Sequence, residues 1–203
     1  KKEKTVYYFL LFKMDVSPPV RAVLMTADIL KLNYESEEVN ILAGEHLQPD
    51  YLKKNPLHTI PIRAKLYPSD LNLRATVDQR LFFDNSVLFP PCKMIVRCIL
   101  RHSAPGPTPE QIKDMKAGYD ILENYLKKTK FVACDHLTVA DISCVSTISS
   151  AAVLVPIDAK YEKIHGWLSR LKKEDWYQNA NLPGLTQFEG FIKLTMKKNS
   201  ESA

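Results

Sequence analysis

The sequence predicts a small α/β unit ending near Pro61 followed by an all-α domain. Three observations carry that reading. Strand-like runs occur only before Pro61. From Pro68 onward the apolar residues recur at helical spacing. The helical half is punctuated by capping signals and prolines that mark where each helix starts and stops.

Taken in order, Val6 to Phe12 is aromatic and apolar and reads as a buried strand. Ser17 then precedes Pro18-Pro19, which suit a first helical turn because N–H groups there have no intrahelical partner. Val20, Val23, Leu24, Ala27 and Leu30 keep one apolar face through that helix, and Asn33 ends it. Tyr34 to Asn40 is a second strand, so the segment forms a right-handed parallel strand–helix–strand unit. Ala43 to His46 is a turn, Pro49 to Leu52 a short helix, and Asn55-Pro56-Leu57-His58-Thr59-Ile60-Pro61 a loop. A three-layer domain needs more strands next, yet only Ile62 to Tyr67 intervene before the first long helix. A two-stranded remnant is marginal by itself and is expected to leave Phe9, Leu11 and Val39 uncovered.

Pro68-Ser69-Asp70 opens a helix carrying Leu73, Val77, Leu81, Asp84 and Leu88. Pro90-Pro91 interrupts it, since an internal proline loses a hydrogen bond and crowds the preceding turn; Lys93 to His102 continues it beyond a kink. Ser103 to Pro107 is a linker. Thr108-Pro109-Glu110-Gln111 is a capping box leading into Ile112, Met115, Tyr119, Leu122 and Leu126. In Leu137-Thr138-Val139-Ala140-Asp141-Ile142, Thr138 and Asp141 form a second capping box, flanked by a staple of Leu137 and Ile142. Ile142 to Val155 is apolar on nearly every side and reads as a central buried helix, stopped by Pro156. Tyr161 to Lys173 is amphipathic, and Pro183-Gly184 precedes a last helix through Phe188, Phe191, Ile192 and Met196.

Composition narrows the function. The net charge of +5 comes from scattered lysines rather than arginines interleaved with aromatics, which argues against a nucleic-acid surface. Four cysteines, Cys92, Cys98, Cys134 and Cys144, form no C-x-x-C, the usage of a reduced, cytoplasmic chain. No apolar run approaches the ~20 residues a bilayer requires, and no cysteine–histidine or carboxylate–histidine spacing suggests a metal. Two stretches point to a ligand. With Pro61 cis, Ile60 would offer its backbone to an extended peptide as an added strand does. Ser17 at a helix N-terminus favours an anion. Together they suggest a site for a small thiol peptide held as its thiolate. Taken alone, Ser17 is an ordinary helix cap, and His46 and His58 are loop histidines.

Several stretches resemble the insect cytosolic glutathione transferases of the delta/epsilon group, most of all the epsilon class. They are Ser17-Pro18-Pro19-Val20-Arg21-Ala22-Val23, residues 39–47 (Val-Asn-Ile-Leu-Ala-Gly-Glu-His-Leu), residues 55–61, residues 77–84 (Val-Asp-Gln-Arg-Leu-Phe-Phe-Asp), Phe131-Val132-Ala133 and Leu137-Thr138-Val139-Ala140-Asp141. They span nearly the whole chain in order. The resemblance implies a thioredoxin-like glutathione-binding domain over residues 1–67, truncated after the cis-proline, and a helical domain over residues 68–203 that carries the substrate site. It further implies a homodimer without nucleic-acid or membrane partners. It makes Ser17 the catalytic residue, whose hydroxyl donates to the glutathione sulfur and favours the thiolate, which then attacks an apolar electrophile. It also makes His46, His58, Thr59, Ile60 and Pro61 the glutathione contacts, and Phe89, Cys92, Lys93 and Val96 the lining of the hydrophobic substrate pocket. Detoxification, including insecticide metabolism, is the implied role. The chain departs from the family after Pro61, where two strands, a helix and a Glu-Ser pair that grips glutathione are missing; Arg63-Ala64 is their stub. The departure opens an alternative, a catalytically impaired carrier of apolar ligands.

Overall fold

The computed structural model describes residues 9–40, 43, 45 and 66–202. Strand β1 (Phe9–Lys13), helix α1 (Pro18–Leu30) and strand β2 (Tyr34–Glu38) form the expected unit, with β1 and β2 parallel and Phe9 opposite Tyr34. Helix α1 ends on Lys31 in the left-handed conformation (φ 51°), which lets Lys31 N–H reach Asp28 O and Leu32 N–H reach Ala27 O. The short helix expected at Pro49 to Leu52 and the loop through Pro61, with its expected cis proline, lie outside the described residues. The expectation that Leu11 and Val39 stand uncovered is wrong: both are buried, Leu11 completely. Counting sheet partners ignores the helices, and α1 packs directly against the helical half of the molecule.

The helical half begins with α2 (Leu71–Phe83), capped by Asp70, whose side chain accepts from Leu73 N–H at 2.8 Å. No break occurs at Pro90-Pro91. The backbone instead widens into one π turn, Asp84–Leu88, closed by a Phe89 N–H bond to Asp84 O, and α3 (Phe89–Arg101) follows with both prolines in its first turn. The π turn is how the chain accommodates two residues without N–H donors while keeping the helix running.

Helix α4 (Pro109–Leu126) starts on the predicted capping box, with Thr108 and Gln111 bonded reciprocally. Helix α5 (Val139–Leu154) is the centre of the core, buried on almost all sides, and packs against α1, α2 and α3. Its cap is more elaborate than a box. The buried Asp141 carboxylate accepts from Thr138 N–H and Oγ1–H, Val132 N–H and Trp167 Nε1–H, all at 2.8–3.1 Å. One carboxylate thus ties the loop before α5 to α6 (Glu162–Leu171). The short helix α7 (Asp175–Ala180) has no sequence signal, since Glu174 at its N-cap makes no capping bond. The last helix, α8 (Leu182–Glu201), begins before the expected point and takes Pro183 and Gly184 into its first turn.

Candidate functional site

Ser17 occupies the N-cap position of α1 (φ −79°, ψ 122°), but its hydroxyl makes no capping bond. The next two residues remove one of its two usual partners: an N-cap side chain accepts from the N–H of the second or third helical residue, Pro19 has none, and the Val20 N–H is present but not engaged by the Ser17 side chain. Ser17 N–H is held by Met14 O at 2.9 Å, and Ser17 O accepts the first helical bond from Arg21 N–H at 3.1 Å. The backbone of Ser17 is therefore fixed while its Oγ is left for other partners. The prolines also revise the sequence argument for an anion site. Of the first-turn N–H groups usually free at a helix N-terminus, two are gone, so Oγ and the helix dipole carry more of the attraction than an N–H cradle does.

The half-buried Ser17 opens on a cavity of about 170 Å³ whose accessible lining is almost wholly carbon. One wall is α3, with Phe89, Cys92, Lys93 and Val96 at helical spacing. All four residues expected to line the hydrophobic pocket are brought together there with Ser17. Cys92 is buried at the back, whereas Lys93 is exposed at the rim. Burial pushes the Cys92 thiol up to about 12, with Arg21 opposing and Asp84 adding to the shift. At neutral pH the cavity therefore holds a neutral thiol and no second thiolate.

The opposite wall was missed in the sequence as a site feature: Phe188, Phe191 and Ile192 of α8. They stood out only as a core stripe, and nothing local tells a stripe that meets packed atoms from one that meets a cavity. Met14, Val16, Pro18, Leu100 and Ser150 complete the lining. Beneath Ser150 lies the fully buried guanidinium of Arg21. Its Nη2 donates to Ser150 Oγ and, at 3.3 Å, to Ser146 O, while Nε and Nη1 have no partner among the described residues. Desolvation lowers its pKa to about 10, so it remains a cation at neutral pH.

His46, His58, Thr59, Ile60 and Pro61 lie outside the described residues, and the structure does not place them. Among the described residues no group of histidine, cysteine and carboxylate side chains is arranged to hold a metal ion. No described helix is long and apolar enough to cross a membrane.

Comparisons with known proteins agree with this arrangement. Residues 11–62 match the glutathione S-transferase N-terminal domain and residues 93–175 the C-terminal domain. The chain is 36% identical to glutathione S-transferase 1 of Manduca sexta over 201 aligned positions, covering 86% of this chain and 92% of the relative. Those positions outnumber the residues this chain contributes to the match, so part of the relative has no counterpart here. An epsilon-class glutathione S-transferase from the housefly Musca domestica superposes with a TM-score of 0.86 at 36% identity, covering 92% of this chain and 97% of the other. A glutathione transferase homolog from Drosophila mojavensis, solved with bound glutathione, gives 0.85 at 35% identity, covering 92% and 96%. With both family domains matched in order, and a relative at this identity covered almost end to end, the chain belongs to the glutathione S-transferase family.

Proposed function

We propose that this chain joins the thiol of glutathione to apolar electrophiles, with Ser17 as the residue that holds the sulfur as a thiolate. The observation that carries the reading is the uncommitted Ser17 hydroxyl opening on a carbon-lined cavity. A free thiol titrates near 8.5, so most of it is protonated and weakly nucleophilic at neutral pH. A hydroxyl donor and the positive end of α1 stabilise the anion and lower that pKa, the thiol proton leaving to solvent. The thiolate then forms a C–S bond to the electrophilic carbon as the bond to the leaving group breaks. The cavity's contribution is to hold the carbon against the sulfur and exclude water. Phe89, Cys92 and Val96 form its apolar wall, and the Lys93 ammonium stands at the rim, where a departing anion would emerge.

The remainder of the reading rests on family resemblance. Residues 1–67 form the glutathione-binding domain and 68–203 the helical domain. His46, His58, Thr59, Ile60 and Pro61 hold the peptide part of glutathione. The housefly similarity favours the epsilon class, a cytoplasmic enzyme of xenobiotic detoxification. The fold subunit pairs as a homodimer, for which the outward face of α2 is suited, since Leu71 and Phe82 are 74% and 72% exposed on one side of the helix.

The test is Ser17→Ala assayed with a simple aryl halide. Losing a hydrogen bond to a charged sulfur is expected to lower kcat/KM by roughly 10- to 100-fold. The melting temperature should barely move, because the hydroxyl caps nothing. Unchanged conjugation would remove Ser17 from the mechanism.

A further inference from the structure

The two walls of the cavity are tied together at a distance from it. Seven residues beyond Ile192, about 10 Å along α8, Asn199 Nδ2 donates to Ile99 O and to Ala104 O, each at 2.9 Å. Ile99 lies in the last turn of α3, where carbonyls have no partner within their own helix. Its neighbour Cys98 O is served by His102 N–H at 3.0 Å and Ala104 N–H at 3.2 Å, whereas Ile99 O receives Asn199. Met196, one turn earlier on the same face of α8, lies over Gly106, its Cε 3.3 Å from where a Cβ would be. The 103–107 segment, a linker by its composition, is thus pinned under the end of α8.

Among the described residues, these are the only hydrogen bonds that α8 makes to α3 or to the loop after it. Elsewhere the two helices share apolar residues of one core cluster and cavity, and packed helices can slide past one another by small shear motions. The amide of Asn199 fixes the register by donating to one carbonyl at the end of the other wall and to one in the segment that follows it.

We infer that Asn199 is a positioning residue for the electrophile cavity: it holds the Phe188, Phe191 and Ile192 wall at a set distance and rotation from the Phe89, Cys92 and Val96 wall. The inference rests on the proposed reading of the cavity as the electrophile site. Asn199 touches no substrate and acts only through α8.

The experiment compares Asn199→Asp, which turns two oxygens toward the same carbonyls, with Asn199→Gln, which keeps an amide. Both are assayed with a compact and a bulky apolar electrophile at saturating glutathione, beside Val96→Phe, which fills the cavity. Asn199→Asp is expected to raise the electrophile KM about three- to tenfold. It should also compress the preference between the two electrophiles toward unity, leave the glutathione KM unchanged, and be partly rescued in Asn199→Gln. If Val96→Phe raises the electrophile KM but Asn199→Asp changes neither KM nor preference, the positioning role is overturned and the cavity reading stands. A lowered melting temperature with an equal loss for both electrophiles overturns it too, as a purely structural effect. If Val96→Phe leaves both electrophile KM values unchanged, the cavity reading itself falls.

Discussion

Gly184 offers a demanding test of how the helical half meets the N-terminal unit. A Cβ placed there would stand 2.0 Å from the carbonyl oxygen of Asp15, 2.7 Å from its carbon and 3.0 Å from Cδ of Arg21. The first two are backbone atoms and cannot rotate aside, so Gly184→Ala must displace either the first turn of α8 or the turn between β1 and α1 by more than an ångström. Overpacking of this kind costs about 1–3 kcal/mol and rises when backbone is the obstacle. Alanine's better helix propensity returns about 1 kcal/mol. Taking the upper end of that cost, the expected net is a loss of about 2 kcal/mol, which at roughly 2–4 °C per kcal/mol for a chain of this size lowers the melting temperature by some 4–8 °C. Because Asp15 is two residues before Ser17, conjugation should also fall at temperatures where the variant is still folded. Gly190, six residues along the same helix, is the control. Nothing lies within 4 Å of its added Cβ, so Gly190→Ala should gain up to about 1 kcal/mol. Urea unfolding of both variants, followed by circular dichroism, reads the two signs. A Gly184→Ala protein as stable as the parent would refute the close approach of α8 to the Asp15 turn.

Two other outcomes follow from the geometry. The folded-state pKa of Cys92 is raised to about 12, so the stability this thiol contributes is complete below pH about 9 and declines as pH rises toward 12, at about 1.4 kcal/mol per pH unit. The buried Cys144 thiol and Tyr119 hydroxyl shift in the same direction; Cys92→Ala should flatten the alkaline fall in melting temperature, and an unchanged slope would place the thiol in water. If the proposed homodimer forms through the exposed face of α2, Phe82→Glu puts a charge there and is expected to shift the chain to monomer in light scattering, while a parent chain monomeric at all concentrations would exclude that interface.

The helical domain was legible because its signals are local. Both capping boxes and the buried stretch of α5 are properties of a few consecutive turns, whereas Phe89, Cys92, Lys93 and Val96 stood out as pocket residues only through the family resemblance. What escaped depends on distant contacts. Residues 14–18 and 188–192 meet across the cavity, yet neither pattern refers to the other. Gly184 looked like a helix start signal, whereas its missing side chain answers to the carbonyl of Asp15. Leu11 and Val39 were judged exposed because a strand was credited only with sheet neighbours, and the docking of α1 on α5 and α7 was invisible. Pro90-Pro91 reads as an interruption, yet the helix runs on through a π turn that places both prolines in the first turn of α3.

Pro18 and Pro19 connect sequence to chemistry most directly. Read locally, they only announce a helix. In the structure they also narrow what the preceding serine can cap, since the first turn keeps only the Val20 N–H as a capping partner and the Ser17 hydroxyl does not engage it. The Ser17 hydroxyl stands uncommitted at the mouth of the cavity, its backbone held by Met14 and Arg21 on either side. The same prolines strip the helix end of donors that would otherwise bind any passing anion. In the proposed mechanism, selectivity for a thiolate then follows from geometry: a single directed hydroxyl beside an apolar wall suits a soft, weakly hydrated sulfur better than a phosphate or sulfate, which need several donors to replace the water they lose.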